Sequence, residues 1–147
     1  MQNLDPDVGR EPDPDGLVDW FEQSLAQDRP PGMLWLVAER DGRVVGFVHA
    51  AVEPPRADSR WQLQRDLASH RLTISALAVE ARWRRSGIGT ALMTAVEEAG
   101  RDQGAKVATL DTNLQSLLSV PFYEGRMAYT RRAAIFRKKL QQADHQG

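Results

Sequence analysis

The sequence predicts an α/β fold built on a mixed sheet, and three observations predict it. The first is a strand, Leu72 to Val79, that runs through a glycine loop into an amphipathic helix ending near Gly100. The second is a further strand, Lys106 to Thr112, one crossover later, which makes the two strands parallel. The third is Asp41-Gly42 between two strand-like runs, the signal of a tight antiparallel hairpin.

The elements follow in order. Met1 to Asp15 is acidic and proline-rich and reads as a loose terminus. Leu17 to Gln27 reads as a helix, capped by Asp13 or Asp15, with an apolar face of Leu17, Val18, Trp20, Phe21 and Leu25. Pro30-Pro31-Gly32 ends it. Met33 to Glu39 and Arg43 to Val52 are the hairpin strands, and Gly46 inside the second predicts a bulge or a close approach. His49 is expected to sit satisfied in or beside the sheet. Pro54-Pro55 stops the second strand, and Asp58 or Ser59 is placed to cap a short helix carrying Trp61, Leu63 and Leu67. That stretch reads equally as a solvated short helix or as a lid over a binding site, with Arg56, Arg60 and Arg65 able to meet an acidic ligand and Asp58 and Asp66 offsetting them. In the helix after the glycine loop, Ile88, Ala91, Leu92, Ala95, Val96 and Ala99 have the spacing of one buried face, and Gly104 stops it. Tyr129 to Leu140 reads as one long strand or a tight strand pair. The whole, 1–147, is expected to be one domain with loose ends at 1–15 and 141–147.

Composition removes several classes of function. The 147 residues suit a single core, and the formal net charge of -1 gives no reason to expect nucleic acid as a partner. There is no cysteine, which excludes disulfides, thiolate metal sites and a thiol nucleophile. His49, His70 and His145 lack zinc spacing, so no metal is expected. No apolar run approaches the ~20 residues that span a bilayer, and no secretory leader pattern opens the chain. No membrane partner and a cytoplasmic location are therefore expected.

The loop between strand and helix is the part that carries chemistry. A helix N-terminus offers free N–H groups and the positive end of the dipole, which favour an anion such as phosphate. Gly87 and Gly89 let backbone approach that anion, and Arg84 and Arg85 add donors suited to phosphate oxygens. Two phosphate loops do not fit. The Walker pattern needs a Lys that is absent, and the dinucleotide fingerprint fails at Leu92.

What remains, Arg84-x-x-Gly87-x-Gly89 after Leu77-Ala78-Val79, resembles the acetyl-CoA loop of the GNAT family of N-acetyltransferases, Gln/Arg-x-x-Gly-x-Gly/Ala between a strand and a helix. Ser116 to Glu124 resembles the family's second signature, with Ser116 where Asn is usual, Ser119 where Ala is usual, and Phe122-Tyr123-Glu124 in register. Asn113, one turn upstream, is placed to supply the missing amide. Pro121 is expected to kink or end that helix. The resemblance implies a GNAT-type twisted sheet, mixed and mostly antiparallel, flanked by helices. A splayed parallel strand pair forms its acetyl-CoA cleft. A first strand near Val8 to Glu11 would be short or absent.

The same resemblance implies acetyl transfer from acetyl-CoA, a co-substrate, to a primary amine by direct attack in a ternary complex. The cofactor would be held by Leu77, Ala78, Val79, Arg84, Arg85, Ser86, Gly87, Ile88, Gly89, Thr90, Asn113 and Ser116. Tyr123 would protonate the departing thiolate. Glu53 is the first candidate base, with Glu39, Ser75, His70 and Asp111 behind it and water as another route. The acceptor is a small-molecule or peptide amine, and a second copy of the chain is a further candidate partner. The alternative is an acyl-CoA-binding sensor without turnover. The basic cluster of Arg126, Arg131, Arg132, Arg137, Lys138 and Lys139 reads first as charge that discourages edge pairing, and second as a contact for the CoA 3′-phosphate.

Overall fold

The computed structural model describes Gln23, residues 31–112 and residues 118–141. The expected first strand and the body of the Leu17 to Gln27 helix lie outside the described residues, as do Asn113 and Ser116.

Four strands form one sheet in the order β1 (Met33–Arg40), β2 (Arg43–Glu53), β3 (Arg71–Val79) and β4 (Val107–Leu110). The first three pair antiparallel and β4 joins β3 parallel, so the sheet is mixed as the sequence implies. Asp41 and Gly42 have φ of 53° and 77°, the two left-handed positions of a type I′ turn, which matches the twist of the strands it joins. β4 is shorter than the predicted Lys106 to Thr112. Its pairing with β3 runs from Arg71↔Val107 to Ile74↔Leu110 and ends there. The next residue, Ser75, is the extra one in a bulge, since His49 faces Ala76 and Ala50 faces Ile74. Beyond this bulge β3 continues along β2 without β4.

Helix α1 (Ile88–Asp102) covers one face of the sheet. The core between them is Val45, Val48 and Ala50 from β2, Leu72 and Ile74 from β3, and Ile88, Leu92, Met93 and Val96 from α1. The buried stripe of the helix is turned slightly from the predicted one. Met93 and Gly100 are buried, whereas Ala91 and Ala95 are exposed. Larger apolar side chains gain more by leaving water, so Leu92, Met93 and Val96 set the rotation and the alanines fall at the rim. The helix ends as Gly104 predicts: Ala105 N–H donates to the Gly100 carbonyl at 3.0 Å and Gly104 N–H to that of Arg101 at 2.9 Å, a Schellman pair.

Two other readings are corrected. Residues 54–70 hold two single 3₁₀ turns, Ser59–Trp61 and Arg65–Ala68, instead of one short helix. Asp58 caps neither turn; it accepts from Arg56 and Gln62, each at 2.9 Å, and these bonds hold its carboxyl below the usual range. The tail from Tyr129 to Leu140 is not a strand. It has no ladder partner among the described residues, and Ile135, Phe136 and Leu140 stand exposed. β-Propensity does not make a strand unless the backbone groups find a neighbouring edge.

Gly46 marks a close approach of helix to sheet. A Cβ there would lie 3.0 Å from the Ala78 carbonyl oxygen, 3.2 Å from Leu92 Cδ1 and 3.3 Å from Ile88 Cγ2. Gly46→Val should therefore destabilise the fold by about 1–3 kcal/mol through overpacking, read as a lowered urea midpoint. An unchanged midpoint would mean that α1 has room to lift from β2.

Candidate active site

The site begins where β4 leaves β3. Glu80 N–H donates to the Val45 carbonyl at 2.7 Å, so residue 80 faces β2. Alternation along the strand then directs the backbone groups of Leu77 and Val79 to the opposite edge, which β4 has vacated. Arg84 Nε reaches the Val79 carbonyl at 3.4 Å. A cleft of about 600 Å³ opens along this edge.

A turn at Ala81–Trp83 carries the chain from β3 to the loop. The Ser86 hydroxyl donates to the Trp83 carbonyl and fixes the bend. Arg85 and Gly87 have φ of 65° and 86°. At Gly87 nothing lies within 4 Å of where a Cβ would be, so the loop faces open space. Helical bonding starts with Ala91 N–H to the Gly87 carbonyl at 2.9 Å, and no side chain caps α1. The first-turn N–H groups are therefore left for an anion.

The other wall comes from residues 118–126. Ser119–Pro121 makes one helical turn, and Phe122–Arg126 widens into a π-turn, closed by Met127 N–H to the Phe122 carbonyl at 3.0 Å. Pro121, which has no N–H to give, sits at the change of pitch, where the sequence predicts a kink. The wider turn leaves Tyr123 in the cleft wall, edge-on to Phe122 (5.2 Å between centroids) and to Tyr129 (6.0 Å). Tyr129 is itself anchored: its hydroxyl donates to Glu97 of α1 at 2.6 Å and its N–H to the Tyr123 carbonyl at 2.8 Å. Burial raises the Tyr123 pKa; burial and then Glu97 raise that of Tyr129.

The cleft thus gathers Leu77, Ala78, Val79, Arg84, Arg85, Gly87, Gly89, Thr90 and Tyr123 of the expected residues. Ile88 turns its side chain into the core at 4% exposure. Glu53 is elsewhere. It accepts from Arg71 and from Thr73 at 3.4 and 3.2 Å, at the start of β3, six residues before Leu77 and on the order of 20 Å along the strand. Trp83, Leu118, Ser119, Phe122 and Arg126 also line the cleft. Leu118, Ser119 and Phe122 belong to the stretch that resembles the second signature, and Arg126 to the basic cluster read second as a contact for the CoA 3′-phosphate; Trp83 carries no signal in the sequence that places it here. His49 stacks on Trp35 at 4.2 Å, within the sheet. Among the described residues no group of acidic and histidine side chains could hold a metal ion, and no helix is long and apolar enough to cross a membrane.

Tyr129 is expected to position Tyr123. Tyr129→Phe removes a hydrogen bond to a carboxylate and should cost about 1.5 kcal/mol of stability. It should also flatten the alkaline stability profile. A raised folded pKa leaves stability intact below the unfolded value of about 10; above it the unfolded chain loses its proton first and stability falls. Urea midpoints from about pH 8 to about pH 11 test this. Parallel slopes for variant and wild type would remove Tyr129 as the titrating group.

The chain matches the acetyltransferase (GNAT) family model over residues 2–129. None of the curated proteins is a match. Three solved structures share the fold. A putative acetyltransferase from Pyrococcus furiosus is 24% identical, with 91% of this chain and 85% of that one covered and a TM-score of 0.63. An aminoglycoside acetyltransferase from an uncultured soil metagenomic sample, in complex with trehalose, is 20% identical over 96% and 80%, TM-score 0.62. An aminoglycoside N-acetyltransferase in complex with CoA is 21% identical over 86% and 78%, TM-score 0.59. The open strand edge, the glycine loop and the family match over most of its length agree: this chain belongs to the GNAT family of acetyltransferases.

Proposed function

We propose that the protein moves an acetyl group from acetyl-CoA to a primary amine by direct attack within a ternary complex. The observation that carries this reading is one cleft in which the free edge of β3, the glycine loop and Tyr123 meet. The uncapped N–H groups of α1, with Arg84 and Arg85, suit a pyrophosphate. Leu77 and Val79 offer backbone donors and acceptors to the amides of a pantetheine arm, as a strand edge does to an added strand. An N–H near Val79 would polarise the thioester carbonyl. Asn113 and Ser116 remain expected contacts of the same arm.

Tyr123 would give its proton to the sulfur as the C–S bond breaks. Burial supports this role, because it keeps the phenol protonated at neutral pH and beyond. With no cysteine in the chain a thiol acyl-enzyme is not available, which agrees with direct attack of the amine on the thioester. Glu53, on the order of 20 Å along the strand from Leu77, lies beyond the reach of a single bridging water, so the amine's proton goes to solvent, the other route considered. Aminoglycosides are the first acceptors to test, since two of the structural neighbours are named for them.

Two variants test the donor and acid roles. A Cβ at Gly89 would sit 3.5 Å from Phe122 Cζ, so the larger Gly89→Val should fill the gap between α1 and Phe122 and abolish acetyl-CoA binding in calorimetry. Wild-type affinity in a folded Gly89→Val protein would remove the loop from the donor site. Tyr123→Phe should lower kcat by about 10²–10⁴-fold and leave donor affinity intact, measured by thiol release with an aminoglycoside panel. A kcat within about twofold of wild type, with chemistry limiting, would return the proton to water. Donor binding without turnover on any amine would favour the sensor reading.

A further inference from the structure

Large apolar side chains stand exposed at eight described positions, and five of these are Trp61, Leu63, Ile135, Phe136 and Leu140. The five lie on two segments, 54–70 and 129–141. One ion pair joins the segments, with Arg132 Nη1 at 3.4 Å from Asp66 Oδ2. Ile135 is three residues from Arg132 and Leu63 three from Asp66, so each lies within about 11 Å of chain from that junction. In the first segment Arg56 N–H donates to the Leu67 carbonyl at 2.8 Å, which folds its two turns together. Single exposed apolar residues are ordinary on a protein surface, whereas a concentration of them marks a place where something binds.

Positive charge gathers at the same junction. The two segments hold eight arginines and lysines against two aspartates, a formal charge of +6 in a chain whose total is -1. Both aspartates are already taken, Asp58 by Arg56 and Asp66 by Arg132. Arg60, Arg65, Arg137, Lys138 and Lys139 have no carboxylate partner among the described residues. Arg60 lies over the Trp61 ring, 4.4 Å from its centre.

Partners differ in how much of this surface they would use. A second copy docked face to face would set cations against cations. Nucleic acid would take the cations and could stack on Trp61 or Phe136, but it offers Leu63, Ile135 and Leu140 nothing to enter. An anionic bilayer uses all of it. Headgroup phosphates meet the guanidinium and ammonium groups, the aromatic rings seat at headgroup level, and the aliphatic side chains enter the acyl boundary.

We infer that residues 54–70 and 129–141 together dock the protein on an anionic membrane surface. The expectation of no membrane partner rests on the lack of a spanning run and a leader, and a surface that lies on lipid needs neither. The inference is independent of the donor reading.

Flotation of the full chain with vesicles tests it. Wild type should bind vesicles of phosphatidylcholine and phosphatidylglycerol in equal parts at least about tenfold more tightly than vesicles of phosphatidylcholine alone, and added salt should weaken the binding. The triple variant Arg137→Gln, Lys138→Gln, Lys139→Gln should lose on the order of 100-fold. Phe136→Ser and Leu63→Ser, at exposed positions, should keep the wild-type urea midpoint and each weaken binding by about tenfold. Tryptophan emission should move to the blue on anionic vesicles, and Trp61→Phe should remove most of that shift. Wild type that ignores the anionic vesicles overturns the inference. Binding that Phe136→Ser and Leu63→Ser leave at full strength also overturns it, and competition by a DNA duplex would then give the surface to nucleic acid. A dimer in sedimentation that Phe136→Ser dissociates would give it to a second copy instead.

Discussion

The parting of β3 from β4 is the constraint on which the site depends. The two strands pair for four residues, and then the Ser75 bulge and the end of β4 at Leu110 leave Leu77 and Val79 with an open edge. Backbone groups that lose a ladder partner need another, from water or from a ligand. β2 keeps β3 in place on the other side as far as Gly46↔Val79, so the edge is open yet not free to collapse. An unpaired edge held rigid in this way is a template for an extended chain of amides.

The height of the glycine loop follows from how closely α1 lies on the sheet. Gly46 lets the helix approach β2, and Gly100 meets the Leu72 side chain at the other end, where a Cβ would stand 3.0 Å from both its δ-carbons. With a glycine on one side of the contact at each end of the helix, its N-terminus is fixed against the end of β3. The turn at Ala81–Trp83 spans what gap remains. The loop's position is thus set by packing of the core and not by contacts within the loop, whose own bonds are few.

What the sequence made legible is local. Asp41-Gly42, Gly104 and the loop from Arg84 to Thr90 each specify a backbone conformation through their own residues, and each stands where expected. What it left hidden depends on partners distant in the chain. The tail is rich in strand-formers, but a strand needs an edge, and no residue of the tail encodes whether one is present. The bulge at Ser75 arises from the pairing of β2 with β3, and Ser75 gives no sign of it alone. Arg126 is one basic residue among six in the sequence, and only the fold sets it apart as the one that lines the cleft. Glu53 lies at a strand end in the sequence, and the register pairs it with Arg71, away from the loop.

The two ends of the cleft place opposite demands on electrostatics. At the loop end, Arg84, Arg85 and Arg126 concentrate positive charge in a chain whose formal net charge is -1, and such focusing draws a polyanionic ligand in. The same field would favour the tyrosinate form of any phenol in the cleft, and a tyrosinate has no proton to give. Desolvation acts the other way, and at Tyr123 it prevails, since its pKa lies above the ordinary value and burial is the cause. The packing of Phe122 and Tyr129 against the ring supplies that burial. The aromatic cluster therefore has a chemical consequence as well as a structural one: it keeps the Tyr123 phenol neutral beside a cationic surface.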